Sequence, residues 1–294
     1  MLRLWIERLL TNRLWPTRLW NTRCVIILRE DAIALLKTRG WHQPRIIYSQ
    51  MIALDAEASG PASLQALVDA LGQQLMQPEW QGCKVKVVLT GDMVRYRLAP
   101  WDARLSSAER LALVTHQLEQ IYGEQMHGWH VSLAEAGFQQ NSLACAVDQG
   151  FMEKLQHCFK QNRIKQNRIK LETVEPSLVT WINRFRKQIP SDAWMVIIDS
   201  KRLYLVRIVQ GQWQLIRDIK VTIDTDQALE QTILRELLAS GEAVNQRPVC
   251  CFWTQHRRSK PEFVQLKNLI ILSTANPVGP EKSLVVSSWG LHHA

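Results

Sequence analysis

A pattern of three strands occurs twice along this chain of 294 residues, and it restricts the fold more than any other feature. The first copy has strand-like runs at Cys24–Leu28, Ala32–Thr38 and Arg45–Ile52, separated by a polar turn and a glycine turn. The second copy spans Ala193–Ile219, and its first strand ends in Asp199. A long helical pattern follows each copy. The repeat predicts two related α/β halves.

Long apolar runs and grouped metal ligands are both missing from the sequence. No run approaches the roughly 18 to 20 apolar residues that a membrane span needs, so we expect a cytoplasmic protein. No two histidines have the helical i, i+4 spacing of a zinc site, and we expect no metal. The cysteines contain no C-x-x-C pair, which predicts buried reduced thiols. They are Cys24, Cys83, Cys145, Cys158, Cys250 and Cys251.

The formal net charge of +9 is confined to two stretches. Residues 1–23 hold five arginines against one glutamate, and residues 153–170 hold six cations against one glutamate. The rest of the chain is neutral on balance, which argues against a protein built to bind nucleic acid. In the second stretch the pentamer Gln161–Lys165 is repeated as Gln166–Lys170, and we interpret the repeat as an insertion on a solvated surface.

The N-terminal segment, residues 1–22, is predicted to begin with a short basic amphipathic helix. Its apolar residues follow the i, i+3, i+4, i+7, i+8 spacing from Leu2 to Leu10, and Pro16 ends the pattern. Arginines beside tryptophans suit an anionic membrane surface. The alternatives are a helix that docks on the protein itself or on a partner chain, and a frayed tail. The residues assigned to membrane or partner contact are Arg3, Trp5, Arg8, Arg13, Trp15, Arg18 and Trp20.

Several stretches, taken in order, resemble one known family. They are Val88–Leu89, Val94–Pro100, the helix capped at Ser106 or Ser107, Ala144–Val147, Leu171–Ser177, the hairpin at Ile198–Asp199 and Ser288–Leu291. From Cys24 onward the chain resembles the actin-like pilus assembly proteins of type IV pilus systems. More distantly it is similar to the cytoplasmic actin-like part of the inner-membrane assembly proteins of type II secretion.

The resemblance implies an α/β protein with the actin-like (ASKHA) fold. Such a fold has two halves, with mixed sheets flanked by helices and a small inserted α+β subdomain. The resemblance assigns residues 23–180 to the first half, with the insertion at about residues 90–166, and residues 181–294 to the second half. Proteins of this family bind ATP between the halves.

The family also recruits the short cytoplasmic tail of a membrane-anchored partner, between the first half and the inserted subdomain. In this chain the corresponding groove would lie at Arg97, Pro100 and Trp101, beside a helix over Ser106–Tyr122 with Glu109 in its first turn. The resemblance therefore implies an inner-membrane assembly protein as the partner.

The phosphate-binding turns of the family need glycine, which this chain lacks there. In the family each turn is Asp-x-Gly followed by small hydroxyl residues, so that backbone N–H groups can approach the phosphates. The first turn here has Asp31 without glycine, and the second is Asp199, Ser200, Lys201 and Arg202. The chain also has no Gly-Gly pair for the adenosine turn. We expect vestigial turns and no cofactor, with weak binding of ATP and magnesium at Lys201 and Arg202 left open.

These features together predict a non-catalytic scaffold, a pseudo-ATPase, at the inner face of a bacterial inner membrane. It would help to assemble a type IV pilus or a related secretion apparatus by docking the partner's tail. One alternative is an actin-like ATP-binding protein or ATPase, in which Asp31 and Asp199 act around one metal nucleotide. A second alternative is a nucleic-acid-binding protein that uses the two basic stretches and their tryptophans.

Overall fold

The structure is a computed structural model that describes most of the chain from Thr22 to Leu272. The described residues are 22–39, 45–54, 61–134, 136–137, 139–162, 168–199, 202–221, 225–241, 246–253, 263–266 and 268–272. In chain order the strands and helices are β1 (Thr22–Leu28), β2 (Ala32–Arg39), β3 (Arg45–Ala53), α1 (Pro61–Leu75), β4 (Lys84–Leu89), β5 (Arg95–Ala99), α2 (Ser107–Tyr122), β6 (Trp129–Ala134), β7 (Ser142–Asp148), α3 (Gln149–Asn162), β8 (Lys170–Pro176), α4 (Ser177–Phe185), β9 (Ala193–Asp199), β10 (Arg202–Val209), β11 (Gln212–Lys220), α5 (Asp226–Ala239), β12 (Val249–Trp253) and β13 (Leu269–Ile271).

Two five-stranded sheets repeat one design. The first has the order β3-β2-β1-β4-β8, and the second has the order β11-β10-β9-β12-β13. In each sheet the first three strands in sequence pair antiparallel, and the remaining pairs are parallel. The three-strand pattern that occurs twice in the sequence therefore forms the three antiparallel strands at one side of each sheet.

A β-bulge falls at the same place in both copies of the three-strand unit. Lys37 pairs with Tyr48 and the next residue pairs with Ile46, so Ile47 is an extra residue in β3. The register of β10 with β11 leaves Gln214 as an extra residue in the same way. Each extra residue is the third of its strand. Bulges increase the local twist and change the direction of side chains, so both third strands bend after the hairpin.

One large apolar core joins the two halves. Leu28 of β1 and Leu71 of α1 are fully buried in it, because α1 and α3 cover one face of the first sheet. Ile197, Tyr204 and Phe252 of the second sheet belong to the same core. The opposite face of the second sheet packs in a separate core with α5. Each fully buried large apolar side chain stabilises the fold by roughly 1.5–3 kcal/mol.

A small third sheet, with the order β5-β7-β6, carries α2 on one face. The hydroxyl of Ser106 accepts a hydrogen bond from the backbone N–H of Glu109, and the Glu109 carboxylate accepts one from the backbone N–H of Ser106. This capping box confirms the predicted helix start and assigns the cap to Ser106. The hydrogen bonds from Ser106 also lower the pKa of the Glu109 carboxyl.

All six cysteines are buried and free, as the sequence predicts. Cys24 and Cys83 lie close together. A hydrogen bond from the Cys24 thiol lowers the pKa of the Cys83 thiol, and the nearby Lys37 ammonium lowers it further. Among the described residues no group of three or more histidine, cysteine or carboxylate side chains could hold a metal ion. In the same part of the chain, no helix combines the length and the apolar character that crossing a membrane requires.

Candidate functional site

The first predicted phosphate turn connects β1 with β2 and is closed by an ion pair. The Arg29 Nε donates to Asp31 Oδ1 at 2.9 Å, and the Arg29 Nη2 donates to Asp31 Oδ2 at 2.8 Å. Arg29 is only 7% exposed, so its guanidinium lies in the turn and not in solvent. A bidentate pair of this kind is among the stronger and more rigid hydrogen-bonded arrangements in proteins.

Backbone groups around this turn are also engaged within the protein. The backbone N–H of Arg29 donates to the carbonyl of Ala32 at 2.9 Å. The hydroxyl of Ser63, in the first turn of α1, donates to the carbonyl of Glu30 at 3.1 Å. The hydroxyl of Thr90 donates to the carbonyl of Leu28 at 3.0 Å. The N–H of Arg29 is therefore directed to a protein carbonyl and not to an anion.

The second predicted turn joins β9 to β10. Asp199 is the last residue of β9 and Arg202 the first of β10. Ser200 and Lys201 lie outside the described residues, as does the side chain of Asp199. The Arg202 Nη1 lies 2.7 Å from Asp218 Oδ1, and the two side chains are 9% and 4% exposed. Arg202, which the sequence left open as an anion ligand, is thus committed to a buried ion pair.

The third sheet is attached to the second sheet beside this ion pair. The Tyr204 hydroxyl donates to the carbonyl of Gly91 at 3.0 Å, and the rings of Tyr96 and Tyr204 meet edge to face at 5.3 Å. The amide of Asn141 donates to the carbonyl of Trp213 at 2.9 Å. Trp213 immediately precedes the bulge residue of β11, so the bulge lies where the third sheet attaches.

Two of the residues predicted to line the partner groove, Arg97 and Trp101, contact side chains of α2. The Arg97 Nε donates to Gln117 Oε1 on α2 at 3.2 Å. The guanidinium of Arg110 lies 5.2 Å from the centre of the Trp101 ring, within the range of a cation–π interaction. Pro100, between these two positions, is exposed.

Two exposed apolar residues on α2 extend this region, and the sequence analysis missed them. Leu113 is 37% exposed and Ile121 is 53% exposed. Gln117 lies between them at the i, i+4, i+8 spacing of one helical face. The α2 surface is defined here as Arg97, Trp101, Leu113, Gln117 and Ile121. Leu113 lies off the buried face of α2, and the helical pattern could have indicated its exposure. Ile121 lies i+7 from the buried Val114 and i+3 from the buried Leu118, so the pattern alone predicts a buried residue there.

A groove between α1 and α3 was also missed. It has a volume of about 870 Å³, and its lining includes Val68 and Gly72 of α1, Met76 just after α1, and Lys154 and Cys158 of α3. A Cβ built on Gly72 would lie 3.4 Å from the Cys158 Sγ, so the glycine lets α1 and α3 pack closely at the groove floor. The groove depends on the packing of two helices that are far apart in sequence, and no local pattern indicates it.

Some predicted site residues fall outside the described part of the chain. They are the N-terminal contact residues Arg3, Trp5, Arg8, Arg13, Trp15, Arg18 and Trp20, together with the adenosine turn after β12. Their roles stay predictions.

Solved structures resemble this chain over most of its length. A Bacteroides thetaiotaomicron protein with an actin-like ATPase fold and unknown function matches with a TM-score of 0.59 at 8% identity, covering 90% of this chain and 95% of that chain. The chain has the actin-like fold. A chain of the PilM–PilN type IV pilus biogenesis complex matches with a TM-score of 0.54 at 10% identity, covering 93% of this chain and 98% of that chain.

A third match comes from a secretion system. It is the cytoplasmic domain of EpsL, an inner-membrane component of the type II secretion system of Vibrio cholerae, with a TM-score of 0.52 at 11% identity, covering 86% of this chain and 90% of that chain. No family model and no curated protein matches the chain. At these identities the likeness establishes the fold, and it confirms the predicted actin-like α/β architecture of mixed sheets flanked by helices.

Proposed function

We propose that this actin-like protein is a non-catalytic scaffold that helps to assemble a type IV pilus or a related secretion apparatus. It would dock the cytoplasmic tail of an inner-membrane partner and act at the inner face of that membrane. The predicted division at residues 23–180 and 181–294, with an inserted subdomain at about residues 90–166, is part of this proposal. Two solved structures that resemble the chain, PilM–PilN and EpsL, come from a pilus biogenesis complex and a secretion system.

The ion pair between Arg29 and Asp31 carries the non-catalytic part of the proposal. A phosphate at this turn would need free backbone N–H groups and a carboxylate available to a hydrated metal. Here the carboxylate of Asp31 accepts hydrogen bonds from two of the three nitrogens of a buried guanidinium. Opening the turn would separate two charges, one of them largely buried, and this cost would oppose nucleotide binding.

The alternative is an ATP-binding protein in which Asp31 and Asp199 hold one metal nucleotide. We expect titration calorimetry with ATP and Mg²⁺ to give no heat of binding up to roughly millimolar nucleotide. Saturable binding that is lost in the Asp199→Asn variant would favour the alternative over the scaffold. Inorganic phosphate is the control ligand, because general attraction of anions by the basic stretches would give the same heat with phosphate as with ATP.

The α2 surface is the proposed docking site for the partner's tail. Leu113 and Ile121 offer exposed apolar contacts on either side of the hydrogen bond between Arg97 and Gln117. We expect Leu113→Asp combined with Ile121→Asp to reduce binding at least about tenfold, since burying two carboxylates would oppose docking. The probe is the cytoplasmic tail of a one-span membrane protein encoded beside this chain, followed by fluorescence anisotropy.

The control for tail docking is Leu238→Asp, because Leu238 is 59% exposed on α5, away from the α2 surface. Equal binding by the two-residue variant, the control and the unchanged protein would contradict docking at α2.

The N-terminal segment would add contact with an anionic membrane surface. Flotation with anionic vesicles, comparing the full chain with one that begins at Arg23, tests this contact. Equal recovery of both chains with the vesicles would remove it from the proposal.

A further inference from the structure

The groove between α1 and α3 is long enough to accommodate a short helix. Val68, Gly72 and Cys158 form an apolar floor, while Asp69 and Glu153 contribute charge at its edges. Met76, at one end, is 55% exposed. The groove has a volume of about 870 Å³ and is open to solvent, which suits a segment of chain lying along it better than an enclosed small molecule.

One end of this groove adjoins the point where the N-terminal segment enters the fold. Met76 follows α1 directly, and eight residues later the chain starts β4 at Lys84. Gln161, at the same end of the groove, lies near the end of α3, and the chain then starts β8 at Lys170. Strands β1, β4 and β8 are parallel neighbours, so Thr22, the first residue of β1, begins at that same edge of the sheet.

We propose that residues 2–10 of this chain dock in its own α1–α3 groove. The spacing of these residues predicts one apolar helical face, formed by Leu2, Trp5, Ile6, Leu9 and Leu10. A helix of that length is about 14 Å long, and the groove from Gln65 to Met76 is about 17 Å long at the same rise per residue. Residues 11–21 can span up to about 36 Å, which is enough to return the helix along the groove.

Charge favours the same occupant. The groove lining has two carboxylates, Asp69 and Glu153, against one ammonium, Lys154. Residues 1–10 have two arginines against one glutamate. Opposite charges at the rim would orient the helix, while the apolar floor would supply most of the affinity.

Docking in the groove would use the apolar face that membrane contact also needs. The docked segment would therefore be withheld from a membrane until it is released from the groove. The inference does not depend on the scaffold role, because it requires only the groove and the segment. Gly72 lines the groove floor, where a bulky side chain would press on Cys158 and reduce the space for the helix.

The first test follows trypsin cleavage after Arg8 in the full chain by mass spectrometry. If the segment is docked about nine-tenths of the time, cleavage is roughly tenfold slower than in a chain that cannot dock. Gly72→Trp would obstruct the groove, and Trp5→Asp would place a charge on the apolar face of residues 2–10. Each variant should therefore restore fast cleavage. Combining both should add nothing further, because they remove one interaction.

The control variant for cleavage is Leu238→Asp, on an exposed position outside the groove. It should be cleaved as slowly as the unchanged chain. Cleavage that is equally fast in the unchanged chain and in Gly72→Trp would overturn the proposal. Circular dichroism of every variant shows whether it is folded before the rates are compared.

The second test is disulfide formation between introduced cysteines, since the six native thiols are buried. Ile6→Cys with Met76→Cys should form a bond within one chain, whereas Ile6→Cys with Leu238→Cys should form it at least about tenfold more slowly. A product that is mainly a cross-linked dimer would assign the groove to the segment of a second copy and overturn docking within one chain. Binding of tail peptide at the α2 surface should be the same in Gly72→Trp, which separates this test from that of the scaffold.

Discussion

Replacing Arg202 by alanine is expected to lower the free energy of unfolding by about 3–5 kcal/mol. The Arg202 Nη1 lies 2.7 Å from Asp218 Oδ1, and both side chains are at least nine-tenths buried. Removing the guanidinium leaves the carboxylate buried without this cation, which costs far more than loss of an exposed pair. Urea unfolding followed by circular dichroism measures the change.

The matched control for Arg202 is Arg247→Ala. Arg247 pairs with Asp192 at 3.2 Å, but these side chains are 28% and 49% exposed, so the expected cost is at most about 1 kcal/mol. The double variant Arg202→Met with Asp218→Leu should recover much of the loss, because two apolar groups replace two buried charges. A loss after Arg202→Ala no larger than that of Arg247→Ala would show that the pair is not structural.

The result for Arg202 also bears on the nucleotide question. If Arg202 were an anion ligand, ATP or phosphate would stabilise the unchanged protein and not the Arg202→Ala variant. In the scaffold proposal neither ligand changes the unfolding midpoint of either protein. The loss of stability in Arg202→Ala and the shift of the unfolding midpoint by ATP or phosphate together distinguish a structural arginine from an anion ligand.

Local patterns predicted the elements well, because strand alternation and helix caps are local. The box of Ser106 and Glu109 is complete within four residues, and Gly211 provides the positive φ of +75° that the hairpin before β11 requires. The repeated order of strands then followed from the repeated pattern. The pattern alone predicted two related α/β halves, and the resemblance of ordered stretches to a known family added the actin-like fold. The matching structures share only 8–11% identity with the chain.

The details of the site could not be predicted in the same way. The missing glycine of the first turn was visible, but nothing in the sequence showed that Arg29 would bind Asp31 inside it. The hydrogen bond from Tyr204 to Gly91 joins residues 113 positions apart, and the α1–α3 groove requires two helices to pack at a set distance. Such contacts depend on tertiary packing, which overrides local preference.

The apolar core shared by the two halves opposes their separation. Two halves that close on a nucleotide would need a seam that opens, whereas here side chains of both sheets pack in one apolar cluster. Helix α4 lies within that cluster, and its Trp181 and Phe185 contact Phe252 of β12. We infer that the halves unfold together as one cooperative unit.

Phe252→Ala is expected to lower the free energy of unfolding by about 3–5 kcal/mol. Phe252 is 2% exposed, and its ring centre lies 4.6 Å from that of Trp181 and 4.8 Å from that of Phe185. Truncation would leave a cavity between the second sheet and α4, the helix that also contacts β4 and β8 of the first sheet. Val264→Ala, at an 85% exposed position, is the control and should change stability by less than about 0.5 kcal/mol.

Calorimetry of the same two variants tests the shared core itself. A single transition at a lower midpoint is expected for Phe252→Ala, because loss of packing at the seam weakens both halves together. Two separated transitions, with only one displaced by the substitution, would show that the halves fold independently. In that case Phe252 would stabilise the second half alone, and an opening seam between the halves, as the ATP-binding alternative needs, would again be compatible with this fold.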